Sequence, residues 1–178
     1  MPRVELVSEE EGTRMRGTTG PQARRALMHR PRMADAIGLL NDACFASALP
    51  ARLNELVRYR IALLNDCVRC QAYRSQEARE AGVTGDLLDR VEDWRTESSF
   101  STVERDAIDY AERFVIDPSS VDDALVGRLR ATLGDEGVID LSVCVGKYVM
   151  LGRILVTLDL DQDLTAGVAP LISGSRVL

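Results

Sequence analysis

Leu49-Pro-Ala-Arg-Leu-Asn-Glu55-Leu-Val-Arg-Tyr-Arg-Ile-Ala-Leu-Leu-Asn-Asp-Cys67-Val-Arg-Cys70 begins as a helix and closes on two cysteines. Within it Leu53, Leu56, Val57, Ile61 and Leu64 recur at intervals of three and four, which lays one apolar face along a core helix. Asn65 and Asp66 break that pattern. Both are residue types favoured at helix N-caps, so a second helix is expected from Cys67 to Ala81, with Gly82 as its stop. The cysteines would then occupy a first turn.

Two thiols three residues apart share one face of a helix and can approach closely enough to form a disulfide. At a helix N-terminus the unpaired amides favour a thiolate, and Arg69 and Arg74 add positive charge nearby. Arg74 falls four residues after Cys70 and seven after Cys67, which predicts one helical stripe for all three. Glu55, twelve residues before Cys67, comes from the preceding helix. A turn at Asn65 and Asp66 would let its carboxylate fold back as a proton acceptor, directly or through water.

Outward from this segment the chain reads as helical. Pro21 and Pro31 sit where helices can begin, and Met33, Ala36, Ile37 and Leu40 share a face after the second. Thr84 to Trp94 reads as a short helix opened by a Thr cap. Ser98 to Ser101 supplies another cap before Val103, Ala107, Ile108, Ala111, Phe114 and Val115, and Asp117-Pro118 ends that helix. Val121 to Leu133 is amphipathic and closes at Gly134, and Val138 to Leu160 is the longest apolar segment. Alternating strand patterns and Asn-Gly or Asp-Gly hairpin turns are missing. The expectation is an all-α, single-domain helical bundle over residues 21–160, with a flexible polar segment over 1–20 and an irregular tail over 161–178.

At 178 residues, 46% apolar and 4% aromatic, the chain can fill one aliphatic core. A net charge of -6 with scattered arginines argues against nucleic acid and anionic membranes as partners. Val138 to Leu160 is interrupted by Asp140, Lys147, Arg153 and Asp159, so it reads as a core or subunit-interface helix rather than a membrane span. Met1 to Gly20 has no apolar stretch resembling a signal peptide, which points to the cytoplasm. Thiols are kept reduced there, so a pair that does oxidise is expected to be functional.

A CxxC also occurs in zinc sites and thioredoxin-like folds. Zinc would need two further ligands, and Cys44, Cys144 and His29 lack paired spacing; thioredoxin would need strands around the motif. Cys44 and Cys144 lie among apolar neighbours and read as core residues, His29 as a surface or helix-end residue, and Trp94 as a packing anchor. Arg74 has an ordinary alternative as a surface charge or a partner of Glu77.

The quoted stretch resembles the carboxymuconolactone decarboxylase and alkylhydroperoxidase D family. Its peroxidatic members carry a Glu twelve residues before a CxxC and a His four residues after the second Cys; Glu55, Cys67 and Cys70 match, and Arg74 occupies the His position. Similarity continues through Ala81-Gly82-Val83, Glu104 to Ala111, and Val145-Gly-Lys-Tyr-Val-Met-Leu-Gly-Arg-Ile-Leu-Val. The resemblance implies an all-α fold assembling as a homo-oligomer, a trimer or hexamer. It further implies that Cys70 attacks a peroxide oxygen, that Cys67 resolves the sulfenic acid as a disulfide, and that Glu55 serves the proton relay. A guanidinium keeps its proton, so Arg74 can hold a thiolate by charge without shuttling protons. The expected activity is a thiol-dependent hydroperoxide reductase needing a thiol or disulfide reductant protein but no metal or organic cofactor. The alternatives are a redox-responsive oligomer with weakened catalysis and a decarboxylase-like acid-base enzyme.

Overall fold

In the computed structural model, which describes residues 1–16 and 22–162, every regular element among the described residues is helical. The helices are α1 (Glu9–Arg16), α2 (Gln22–Leu27), α3 (Pro31–Phe45), α4 (Ala51–Leu64), α5 (Val68–Ala72), α6 (Gln76–Glu80), α7 (Gly85–Asp89), α8 (Thr102–Ile116) and α9 (Asp123–Thr157). Pro31 opens α3, as its fixed φ favours. The expected helix start at Pro21 and residues 163–178 of the tail lie outside the described residues.

Three helices make the centre: α4 lies against both α8 and α9, which also meet each other. The apolar stripe read on α4 is what they cover, with Leu56, Val57 and Ile61 wholly buried against Ala107, Ile108 and Ala111 of α8 and Leu141 and Val145 of α9. Full burial of one such side chain contributes about 1.5–3 kcal/mol. A capping box, in which the Ser101 side chain accepts from the Glu104 amide and Glu104 accepts from the Ser101 amide, fixes the start of α8. Gly134, at φ 72°, breaks α9 where the sequence placed a stop.

Glu112 of α8 ties the bundle to the loop before it. Its buried carboxylate accepts from Arg60 of α4, from the Trp94 indole at 2.9 Å and from Arg95 at 2.7 Å. Burial pushes this carboxyl upward, but the bonds from Trp94 and Arg95 and the Arg60 charge outweigh it and hold it below the ordinary glutamate range. Trp94 is thus the anchor its apolar bulk suggested.

The ends depart from the sequence expectation. Residues 9–16 form a helix where a flexible segment was expected, and the Arg3 amide donates to the Leu158 carbonyl at 2.9 Å. Asp161 accepts from the amides of Gln22 and Ala23, both at 2.8 Å, and so caps α2 from the far end of the chain. His29 is exposed after α2, with its ring 2.9 Å from the Glu5 carbonyl. No helix among the described residues is long and apolar enough to cross a membrane.

Candidate active site

The chain leaves α4 through Asp66, whose φ of 51° lies in the left-handed region that Asn and Asp tolerate. This reversal makes Cys67, not Asp66, the N-cap of α5: the Cys67 sulfur accepts from the Cys70 amide at 3.2 Å. Cys67 and Cys70 are joined as a disulfide with Cα atoms 5.2 Å apart, within the usual range for such a bond. The two sulfurs differ in setting. Cys67 is fully buried beside Ala23, Leu155 and Leu160, whereas Cys70 is partly exposed and faces a cavity.

The single helix expected from Cys67 to Ala81 is instead two short ones. Tyr73 is extended, at ψ 141°, and Ser75 starts α6 afresh by accepting from the Ala78 amide at 3.0 Å. A long-range clamp accompanies the break. Arg58 of α4 donates to the Tyr73 carbonyl at 2.9 Å and to the Cys70 carbonyl, taking up acceptors at the end of α5. Arg74 consequently leaves the cysteine stripe. Its guanidinium donates to the carbonyls of Gln71 and Tyr73, lies 4.9 Å from the centroid of the Tyr59 ring, and is not a wall of the cavity.

Glu55 lines the same cavity as Cys70, with its carboxylate held by Arg58. The carboxylate accepts two bonds from one guanidinium, at 2.8 and 2.7 Å, and both residues are buried, at 4% and 6% exposure. Such forked pairs hold geometry tightly, and the same guanidinium continues to the Cys70 carbonyl. One buried arginine thus links the carboxylate to the cysteine turn.

The cavity that Cys70 and Glu55 share has a volume of about 180 Å³. Asn41 and Phe45 of α3, Asn54 of α4, Tyr73, and Lys147 and Tyr148 of α9 contribute other parts of its wall. Burial, with the Glu55 charge, pushes the Tyr73 hydroxyl up, and burial does the same to Tyr148, which donates to Asn54 Oδ1 at 3.3 Å. Gly152 lets α9 approach the end of α4: a Cβ there would sit 2.5 Å from Asn65 Nδ2.

Sequence reasoning missed Arg58 and Lys147 as parts of this site. Arg58 carried a signal, three residues after Glu55 inside an apolar helix; Lys147 carried another, a charge within the most apolar run of the chain. Cys44 and Cys144 are buried free thiols, as expected of core residues. The bond from Cys144 lowers the Cys44 thiol to about 7 against the effect of burial, aided by the Lys147 charge, while Cys144 is raised by that same bond and by burial.

Residues 31–113 match the carboxymuconolactone decarboxylase family. The chain is 33% identical over 117 residues to the uncharacterized protein YnjA of Escherichia coli, covering 66% of this chain and 64% of that protein, so it spans a little under two thirds of that relative's length. Among solved structures it resembles the alkylhydroperoxidase AhpD core of an uncharacterized peroxidase-related protein from Ralstonia eutropha, with a TM-score of 0.72 at 18% identity over 91% of this chain and 92% of that one. It also resembles the debrominase Bmp8 in complex with 2,3,4-tribromopyrrole, with a TM-score of 0.74 at 16% identity, covering 90% and 91%. At these identities the structural likeness establishes a common fold, an alkylhydroperoxidase D-like helical bundle. Over residues 31–113, a little under half of its length, the chain is similar to the carboxymuconolactone decarboxylase family.

Proposed function

We propose that the chain is a thiol-dependent hydroperoxide reductase in which Cys70 is the nucleophile and Cys67 the resolving thiol. The observation that carries this reading is the asymmetry of the pair: Cys70 faces a cavity shared with a buried carboxylate, and Cys67 lies behind it at the helix cap. In the reduced chain the Cys70 thiolate attacks the terminal peroxide oxygen. The O–O bond breaks, the alkoxide leaves as an alcohol on taking a proton, and Cys70 becomes a sulfenic acid. Cys67 then attacks the Cys70 sulfur, the S–O bond breaks, and water departs as the disulfide forms.

An external dithiol supplies the two electrons that restore both thiols. It would attack the accessible Cys70 sulfur and expel Cys67, whose thiolate is stabilised by the Cys70 amide; a stabilised thiolate is the better leaving group. Glu55 serves the proton relay through water in the cavity, and Arg58 positions it. Assembly as a homo-oligomer belongs to this reading and is supported by Ile139, Val143 and Met150, exposed apolar residues on one stripe of α9.

Steady-state consumption of tert-butyl hydroperoxide with dithiothreitol tests the proposal. Wild type is expected to turn over, Cys70→Ser to lose at least about a hundredfold in rate, and Cys67→Ser, given peroxide without dithiothreitol, to stop as a sulfenic acid that dimedone traps. A wild-type chain without turnover, or activity surviving in Cys70→Ser, would overturn it.

A further inference from the structure

Lys147 lines the cavity, and among the described residues no acid pairs with its charge. Its residue exposure is 3%, and among the described residues no carboxylate lies within ion-pair distance of its Nζ. The neighbours are neutral: Asn41 Oδ1 at 3.4 Å, and the rings of Tyr148 and Phe45 with centroids at 4.1 and 5.2 Å. An ammonium removed from water with no counter-charge is costly, and partial compensation by an amide and two ring faces does not make it electrically neutral.

Of the other charges of the wall, Glu77 is exposed and the two arginines face carboxylates. Arg58 is committed to Glu55, and the buried Arg69 faces the Asp161 charge. Besides Arg58, the groups whose charge bears on Lys147 are the thiols of Cys44 and Cys144, which lie outside the cavity lining. An anion entering the cavity would therefore meet one uncommitted ammonium, together with the amide of Asn41 and an aromatic edge.

We propose that Lys147 and Asn41 form an anion subsite, so that the preferred substrate carries a carboxylate on a short apolar body. The proposal rests on the peroxide reading only in what reacts at Cys70; the anion subsite is a separate property of the same cavity. Its size limits the ligand. An apolar cavity of about 150 Å³ holds benzene, so about 180 Å³ admits a small aromatic or short aliphatic acid. The ligand carboxylate accepts from the Lys147 ammonium and the Asn41 amide NH₂, and its apolar part lies towards Leu151 and Cys70.

Calorimetric titration of the oxidised full chain with benzoate and with benzamide tests this without any turnover. The titration is run near pH 6, where benzoate stays ionised. The expected result is benzoate binding at least about tenfold more tightly than benzamide, with that preference lost in Lys147→Met and retained in Lys147→Arg. Equal affinity for the two ligands, binding of neither, or a preference that survives Lys147→Met would overturn the subsite. A benzoate preference in a chain that turns over no hydroperoxide would leave the subsite standing and remove the peroxide reading. Turnover of tert-butyl hydroperoxide without a benzoate preference would do the reverse.

Discussion

Replacing Arg58 with Met leaves the buried Glu55 carboxylate without its forked partner and frees the carbonyls of Cys70 and Tyr73 at the same time. Both members of the pair are nearly inaccessible, at 4% and 6% exposure, so the little water that the cavity holds can replace the lost donors only in part. Breaking a buried ion pair from one side costs about 3–5 kcal/mol, and this is the expected destabilisation. Arg58→Lys keeps the charge but not the planar fork and should cost about 1–2 kcal/mol. In a double-mutant cycle, Glu55→Leu with Arg58→Leu should be clearly milder than the sum of the single changes, because no buried charge is left alone. Urea unfolding of the oxidised chain, followed by far-ultraviolet circular dichroism, reads all of these. A loss below about 1 kcal/mol for Arg58→Met, or additive single changes, would show that the pair is solvated and that Arg58 is not the clamp of the cysteine turn.

Other changes address the frame around the site. Gly152→Ala places a methyl group against Asn65, directly before the cysteine turn, and should destabilise by about 1–3 kcal/mol; thermal unfolding checks this, and Asn65→Ala in the same chain should recover part of the loss. Leu56→Ala, at a wholly buried position of α4, should cost about 2–5 kcal/mol in the same measurement. Glu112 contributes a pH dependence. Its folded pKa lies below the ordinary value of 4.5, so its stabilisation is fully present above that pH and is lost as pH falls through the lower folded value. Urea midpoints measured from neutral pH downward should therefore drop below about pH 4.5, and Glu112→Gln should start lower and fall less steeply.

The parts of this molecule legible in the sequence are those written in local spacing. The α4 stripe, the capping residues Ser101 and Thr84, the stop at Gly134 and the start of a helix at the cysteine pair all follow from neighbours a few residues apart. The break at Tyr73 was hidden because Arg58, fifteen residues earlier, holds the Tyr73 carbonyl. Arg74 looked aligned with the cysteines only while that helix was taken to continue. Buried charges were hidden for a different reason: Arg58 and Lys147 carry the same letter whether solvated or enclosed, and only the packing of α4 and α9 distinguishes the cases. The cap of α2 by Asp161 spans nearly the whole chain and has no local signature.

The central claim is that Cys70 and Cys67 exchange two electrons with a hydroperoxide, and a single-turnover thiol count tests it most directly. The reduced chain, carrying four free cysteines, is mixed with one equivalent of tert-butyl hydroperoxide, quenched with an alkylating reagent and mapped by peptide mass spectrometry. The account predicts the loss of two thiols per chain, a Cys67–Cys70 crosslink and one equivalent of tert-butanol, with Cys44 and Cys144 still alkylated. Four alkylated cysteines after the peroxide has been offered, or a crosslink confined to Cys44 and Cys144, would contradict it.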